Sequence, residues 1–358
     1  MNRYKKKLVM TEKSIQLLED SLKNNIFGQD EAIETLVDYV TIDIAGLSEK
    51  EKPIGSFLFT GPTGVGKTEL AKQLAKELNL DFKRFDMSEY SSNHSADTLI
   101  GGAAGLVGYD EGGLLTNTII ENPSCVLLFD EIEKANKTVL NKFLQIMDYG
   151  KLTSSKGEEV YFNDTIIIFT SNLGSIKTKK RTAGFDSSTS IEIENDFKEY
   201  WSAEFIGRLN QIIEFNPLNI DISKKIIKKY FMQIETLLKN RNIQVSPTDN
   251  LIDHIIENSN KKLGARNLEN MLTKNIKLII SQQLISGNLN NFSKITFDWD
   301  NNNDKYKYSL ENNEIQNNIS NADQHFFNTV EDAQDYARKN IGTVITRSSN
   351  GNGYIVKY

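Results

Sequence analysis

Eight consecutive residues, Gly61-Pro62-Thr63-Gly64-Val65-Gly66-Lys67-Thr68, fit the pattern of a phosphate-binding loop. They follow an apolar run, Ser56–Thr60, and open a stretch in which Leu70, Leu74 and Leu78 recur at helical spacing. Strand, glycine-rich turn and helix in that order give the pattern its meaning. Glycines let the backbone pass close enough to an anion for successive N–H groups to point at its oxygens, and the helix N-terminus adds its positive end. Lys67 is then placed to neutralise the β- and γ-phosphates of a nucleotide, and the Thr68 hydroxyl is a hard oxygen ligand for Mg2+.

A second apolar run, Cys125–Phe129, ends in Asp130-Glu131. Asp130 is placed to hold Mg2+ through its waters, and Glu131 to polarise the water that attacks a γ-phosphate. An acidic pair after a strand means little alone; beside an intact phosphate loop it is specific. A third run, Thr165–Thr170, leads into Ser171-Asn172. Ligands of a parallel sheet gather at the carboxyl ends of its strands, so Asn172 is expected beside the γ-phosphate, orienting the hydrolytic water. Cys125 reads as a small core residue.

These groups need a scaffold that brings distant strand ends together. Ser56–Thr60, Phe82–Phe85, Cys125–Phe129 and Thr165–Thr170 read as strands, two of them apolar almost throughout, as strands covered on both faces are. Helical patterns lie between, including Val139, Leu140, Phe143, Leu144 and Met147, which argues for an α/β domain with a parallel sheet over residues 1–217. Beyond Asn216-Pro217-Leu218-Asn219 the texture becomes helical. Ile226, Ile227, Tyr230, Phe231, Ile234 and Leu237 form one amphipathic stripe, and Gly264 to Ile285 forms another. A small, mainly helical domain over 218–312 is expected, closed by a short strand at Lys294–Phe297. Eight asparagines between Asn301 and Asn321 read as hairpin turns or a linker. Residues 313–358 then read as a linker and a small α+β appendage. A helix opens at Thr329–Ala333, and strands at Thr343–Thr346 and Tyr354–Val356 are joined through Asn350-Gly351-Asn352-Gly353.

Bulk properties narrow the field. The 358 residues exceed what one core usually serves, and 39% apolar with 25% charged residues is a globular balance. No run approaches the roughly 20 apolar residues of a membrane span, and the basic start at Arg3, Lys5, Lys6 and Lys7 is not followed by the apolar core of a secretory signal. One cysteine and three scattered histidines (His94, His254, His325) offer neither a disulfide framework nor metal-ligand spacing, which fits a reducing cytoplasm. A net charge of −6 disfavours nucleic acid as the main partner.

The phosphate loop, Asp130-Glu131-Ile132-Glu133-Lys134-Ala135 and Asn172 together resemble the Clp family of AAA+ unfoldases, in particular the second ATPase module of ClpA, ClpB and ClpC. Similar words run from Phe27-Gly28-Gln29-Asp30 through Phe85-Asp86-Met87-Ser88-Glu89-Tyr90 and Tyr109–Thr116 to Gly264-Ala265-Arg266, about three quarters of the chain. The appendage is outside the resemblance, and the sequence leaves no room for the family's N-domain or first ring. The resemblance implies that Ile26 and Phe27 line the adenine pocket. It implies that Arg208, in Glu204-Phe205-Ile206-Gly207-Arg208-Leu209, is an arginine finger reaching the neighbouring subunit's γ-phosphate. Arg266 matches a second sensor that couples nucleotide state to the angle between domains. The family's substrate-gripping loop matches Gly105-Leu106-Val107-Gly108, with leucine where tyrosine is usual, which weakens or narrows the grip. The hairpin around Asp148–Glu159 would supply a second pore element. Ala183-Gly184-Phe185 sits where protease-linked members dock on the ClpP peptidase, although Ala183 buries less area than the usual residue.

The implied activity is ATP- and Mg2+-dependent unfolding by a homo-oligomeric ring, expected to be a hexamer, that threads polypeptide through its pore with or without a peptidase or adaptor. Two alternatives stay open at this point: a non-threading switch or scaffold that recruits a partner through the appendage, and a nucleic-acid remodeller of related build.

Overall fold

The computed structural model describes residues 12–102, 112–173, 201–259, 264–289 and 292–312, the strands at 324–327, 344–347 and 354–357, and residues 334 and 338. The expectations at Gly105–Gly108, Ala183–Phe185, Thr329–Ala333 and Asn350–Gly353 lie outside the described residues.

The expected strands form, each extended by a residue or two: β1 (Gly55–Thr60), β2 (Asp81–Asp86), β3 (Cys125–Asp130) and, after a short antiparallel hairpin β4 (Lys151–Thr153) and β5 (Glu159–Tyr161), β6 (Thr165–Ser171). A further strand, β7 (Gln211–Glu214), joins them in one five-stranded parallel sheet of order β2-β3-β6-β1-β7. The central strands β1 and β6 are buried at every position, and β3 at all but Asp130. Their side chains alternate between two cores. Phe57, Phe59, Val126, Leu128, Ile166 and Ile168 face one, covered by the helices Glu12–Asn25, Asp30–Ile44 and Lys67–Glu77. Leu58, Leu127, Phe129, Ile167 and Phe169 face the other, under the helices Asn93–Ile100, Leu114–Glu121 and Lys137–Tyr149. Each fully buried phenylalanine or leucine contributes roughly 1.5–3 kcal/mol, so this two-sided burial fixes the register that aligns the strand ends.

An aromatic train crosses the second core. Phe143 stands 4.4 Å from Phe129 and 5.2 Å from Phe169, Phe169 lies 5.3 Å from Phe205, and Phe205 stacks on Trp201 at 5.2 Å. It ties the helix Lys137–Tyr149 through β6 to the short helix Ala203–Ile206. The helix Lys137–Tyr149 ends on Gly150, at φ 57°, where an added Cβ would meet the Glu51 carbonyl oxygen at 1.7 Å. Gly150→Ala combines a left-handed backbone with overpacking and should cost about 2–4 kcal/mol, read as a lower urea midpoint at unchanged slope. Cys125 is buried at the start of β3, and burial pushes its thiol up to about 12.

From Ile220 the chain builds a second unit. The helices Ile220–Leu237, Asp249–Asn258 and Gly264–Leu272, the last continuing through a wider turn into Leu278–Ile285, share one core with strands β8 (Gln244–Pro247), β9 (Phe292–Asp300) and β10 (Lys305–Asn312). This corrects the expectation of a single short closing strand: the sheet has three strands, in the order β10-β9-β8. It also corrects part of the asparagine-rich stretch: residues 301–304 make a turn, Lys305–Asn312 is an antiparallel strand, and residues 313–321 lie outside the described residues. Three further strands, β11 (Gln324–Phe327), β12 (Val344–Arg347) and β13 (Tyr354–Lys357), pair antiparallel in the order β11-β13-β12. No helix among the described residues is long and apolar enough to cross a membrane.

Candidate functional site

β1 leads directly into the glycine-rich loop at the carboxyl edge of the sheet, beside β6. Gly61, Gly64 and Gly66 all adopt positive φ, 130°, 77° and 109°, and a Cβ on Gly61 would lie 2.6 Å from the Phe215 carbonyl oxygen. Side chains are thus barred where the loop must curl. Val65 packs into the core below, and Lys67 and Thr68 open the following helix. Pro62 supplies a carbonyl 3.1 Å from the Lys67 ammonium.

Lys67 is buried, and loss of solvent pulls its ammonium down to about 8 against the opposing pull of the Asp130, Glu133 and Glu131 carboxylates. Its Nζ also donates to Asn172 Oδ1 at 3.0 Å. Asn172 in turn reaches Glu131 Oε1 from its amide at 3.5 Å, accepts from the Thr63 hydroxyl at 3.4 Å, and its backbone N–H donates to Glu133 at 3.2 Å. The asparagine therefore connects the lysine of the loop to the acid at the end of β3. These residues are more than 100 positions apart in sequence in one case, Lys67 to Asn172, and 41 apart in the other.

Glu131 adopts the left-handed conformation, φ 56°, which re-aims its side chain away from the strand direction; its N–H donates to the Thr170 hydroxyl at 3.1 Å. Its carboxylate pairs with Lys134 one turn on. Asp130 accepts from the Thr170 hydroxyl on one oxygen. Its other oxygen receives Nε and Nη2 of Arg84, at 3.0 and 2.8 Å. A carboxylate oxygen has two lone pairs, so Asp130 keeps acceptor capacity while held in direction.

Oxygen donors from Thr68 and Asp130 are the hard ligands Mg2+ takes, and among the described residues no group of three His, Cys, Asp or Glu side chains is gathered to cage a metal alone. That set suits an ion that keeps waters and is bound chiefly by substrate phosphates.

Ile26 is buried with its side chain 3.6 Å from where a Gly66 Cβ would stand, and Phe27 carries the Lys229 ammonium 5.9 Å above its ring. Arg208 follows the helix Ala203–Ile206 and pairs with Asp148 at 2.6 Å. Arg266 is exposed in the first turn of the helix Gly264–Leu272, whose start packs against the phosphate loop: Ala265 N–H donates to Gly64 O at 2.9 Å.

Sequence reasoning missed Gln29, Arg84, Lys134 and Thr170 as parts of this site. Gln29 is buried and clamps the Asn216 backbone through two 2.9 Å bonds, with a 3.4 Å bond to Val65 O in the loop. The sequence offers only the place of Gln29 directly after Gly28 as a signal. Thr170 is a β-branched residue in an apolar strand and carried no signal of its own.

Residues 52–212 match the family described as AAA domain (Cdc48 subfamily), and residues 218–297 match the C-terminal, D2-small domain of ClpB protein. A ClpA homolog protein of Fuscovulum blasticum is 43% identical over 278 residues, covering 76% of this chain and 35% of the relative. Chaperone protein ClpB of Clostridium tetani is 43% identical over 299 residues, covering 82% of this chain and 35% of the relative. ClpB of Clostridium perfringens is 42% identical over 290 residues. The chain spans about a third of the length of these curated relatives. With the phosphate loop, the acidic strand end and Asn172 brought together on a parallel sheet, the chain belongs to the Clp family of AAA+ proteins and carries a second-type ATPase module of that family.

Proposed function

We propose that this module hydrolyses ATP at the interfaces of a hexameric ring and uses the resulting domain rocking to draw unfolded polypeptide through a central pore. The observation that carries the reading is the span from Lys67 through Asn172 to Glu131, which joins a phosphate-binding cation to a candidate base across two strand ends.

In this mechanism the loop N–H groups and Lys67 hold the β- and γ-phosphates, while Ile26 and Phe27 take the adenine. Glu131 accepts a proton from the attacking water, and Asn172 fixes that water's direction. Thr68 and Asp130 would hold Mg2+, which neutralises charge on the β- and γ-oxygens when bound. Arg208 supplies positive charge to the neighbour's γ-phosphate, and Arg266 senses the nucleotide from the helical unit. The Clp likeness supports a polypeptide substrate gripped through Gly105–Gly108, with a ClpP-like peptidase docked at Ala183–Phe185 or a separate adaptor, in the cytoplasm. The net charge of −6 argues against nucleic acid as the main partner.

Leu106 in place of an aromatic favours one rival, a ring that switches conformation without threading. The separating experiment offers the purified protein a stable fluorescent domain carrying an unstructured tag, with ATP. Threading predicts tag-dependent loss of fluorescence and a rise in ATPase rate on adding the tagged domain. ATPase activity with neither response would leave the switch.

A further inference from the structure

Within one protomer the Arg208 guanidinium is already held on three nitrogens. Nε donates to Asp148 Oδ2 at 2.6 Å, Nη1 donates to the Glu204 carbonyl at 2.9 Å, and Nη2 lies 3.1 Å from the Glu204 carboxylate. A guanidinium has five N–H donors, two on each terminal nitrogen, so Nη1 and Nη2 each keep at least one unused. A phosphate takes such donors from two nitrogens at once. The two acids differ in what they can fix. Glu204 sits four residues before Arg208, its side chain is 58% exposed, and it moves with the same short helix. Asp148 is 60 residues away, in the last turn of the helix Lys137–Tyr149, and only 31% exposed. That helix is anchored by the Phe143–Phe169–Phe205 train and by the close approach of Gly150 to Glu51. Asp148 is therefore the partner that gives the guanidinium a direction independent of its own loop.

We propose that Asp148 is a positioning residue for hydrolysis on the adjacent subunit: by gripping Nε it presents the two unused N–H groups of Arg208 outward to the neighbour's γ-phosphate. The inference rests on the trans role of Arg208 stated above. It also explains why the acid lies three residues before the start of β4. The β4–β5 hairpin follows the same helix end whose Asp148 holds the finger, so a displacement of the hairpin reaches the neighbour's phosphate through Asp148.

The test is intersubunit complementation. D148A should lower turnover by about 10²-fold, the loss expected from a catalytic group misplaced by roughly an ångström, with nucleotide affinity unchanged. D148N keeps a carbonyl oxygen for Nε and should recover most of the rate. Mixing D148A subunits, whose own sites are intact, with E131Q subunits, whose fingers are intact, should give hydrolysis well above either ring alone. R208A mixed with E131Q is the reference. If R208A complements and D148A does not, Asp148 acts on its own site and the proposal fails while the trans finger stands. Wild-type or faster turnover by D148A likewise overturns it, because the acid would then be dispensable or a restraint. If neither mixture complements, the trans-finger reading falls and takes this proposal with it.

Discussion

Glu131→Gln should bind ATP with the affinity of the parent and turn it over about 10²–10⁴-fold more slowly, the range for loss of a positioned general base. Glutamine is isosteric and keeps an oxygen for the Asn172 amide, so the link at 3.5 Å survives. What disappears is the ability to take a proton. The backbone is already left-handed at this position, φ 56°, and is held by Thr170 through the 131 N–H, so the substitution leaves its frame intact. Lys134 loses its carboxylate partner on the exposed surface, a small change beside the loss of turnover. Fluorescent-nucleotide titration and phosphate release measured on one preparation separate the two quantities. Rapid hydrolysis by this variant would remove Glu131 from the role of base.

Arg208→Ala should be still more severe, because an arginine finger supplies about 10³–10⁵ in turnover. Its effect should depend on company. Turnover per subunit in the parent should rise with protein concentration as rings assemble, whereas the variant should stay low at every concentration. Full-rate hydrolysis by isolated monomers of the parent would refute a finger acting between subunits. Asp148 loses its counter-charge in this variant. It is part-exposed, so the local cost should be modest and the fold retained, which a thermal melt checks.

The legible part of this molecule was the part that obeys short-range rules. β1, β3 and β6 announced themselves because strands covered on both faces carry short, nearly continuous apolar runs, and the phosphate loop because its glycines sit where side chains are barred. β7 escaped notice: Gln211-Ile212-Ile213-Glu214 is four residues with polar ends, and it is a strand because β1 offers it an edge. β10 alternates lysine and tyrosine across a half-exposed hairpin and sits inside an asparagine-rich stretch, so composition masked its period. β8 ends in Pro247, which reads as a breaker until its edge position is known.

The site divides along the same line. Lys67, Thr68, Asp130, Glu131 and Asn172 each follow from a strand end plus a residue type. Their steering partners do not, since the pairings Arg84 to Asp130 and Arg208 to Asp148 span 46 and 60 positions. Nothing in an arginine's immediate neighbours says which carboxylate the fold will bring to it.

The amide of Ala265 ends on the carbonyl of Gly64, in the middle of the phosphate cradle, and a Cβ on Gly264 would sit 2.6 Å from that same oxygen. The two bodies thus meet in direct backbone contact at the cradle. A tilt of the helical body would therefore either stretch the bond from Ala265 to Gly64 or carry the cradle along with it.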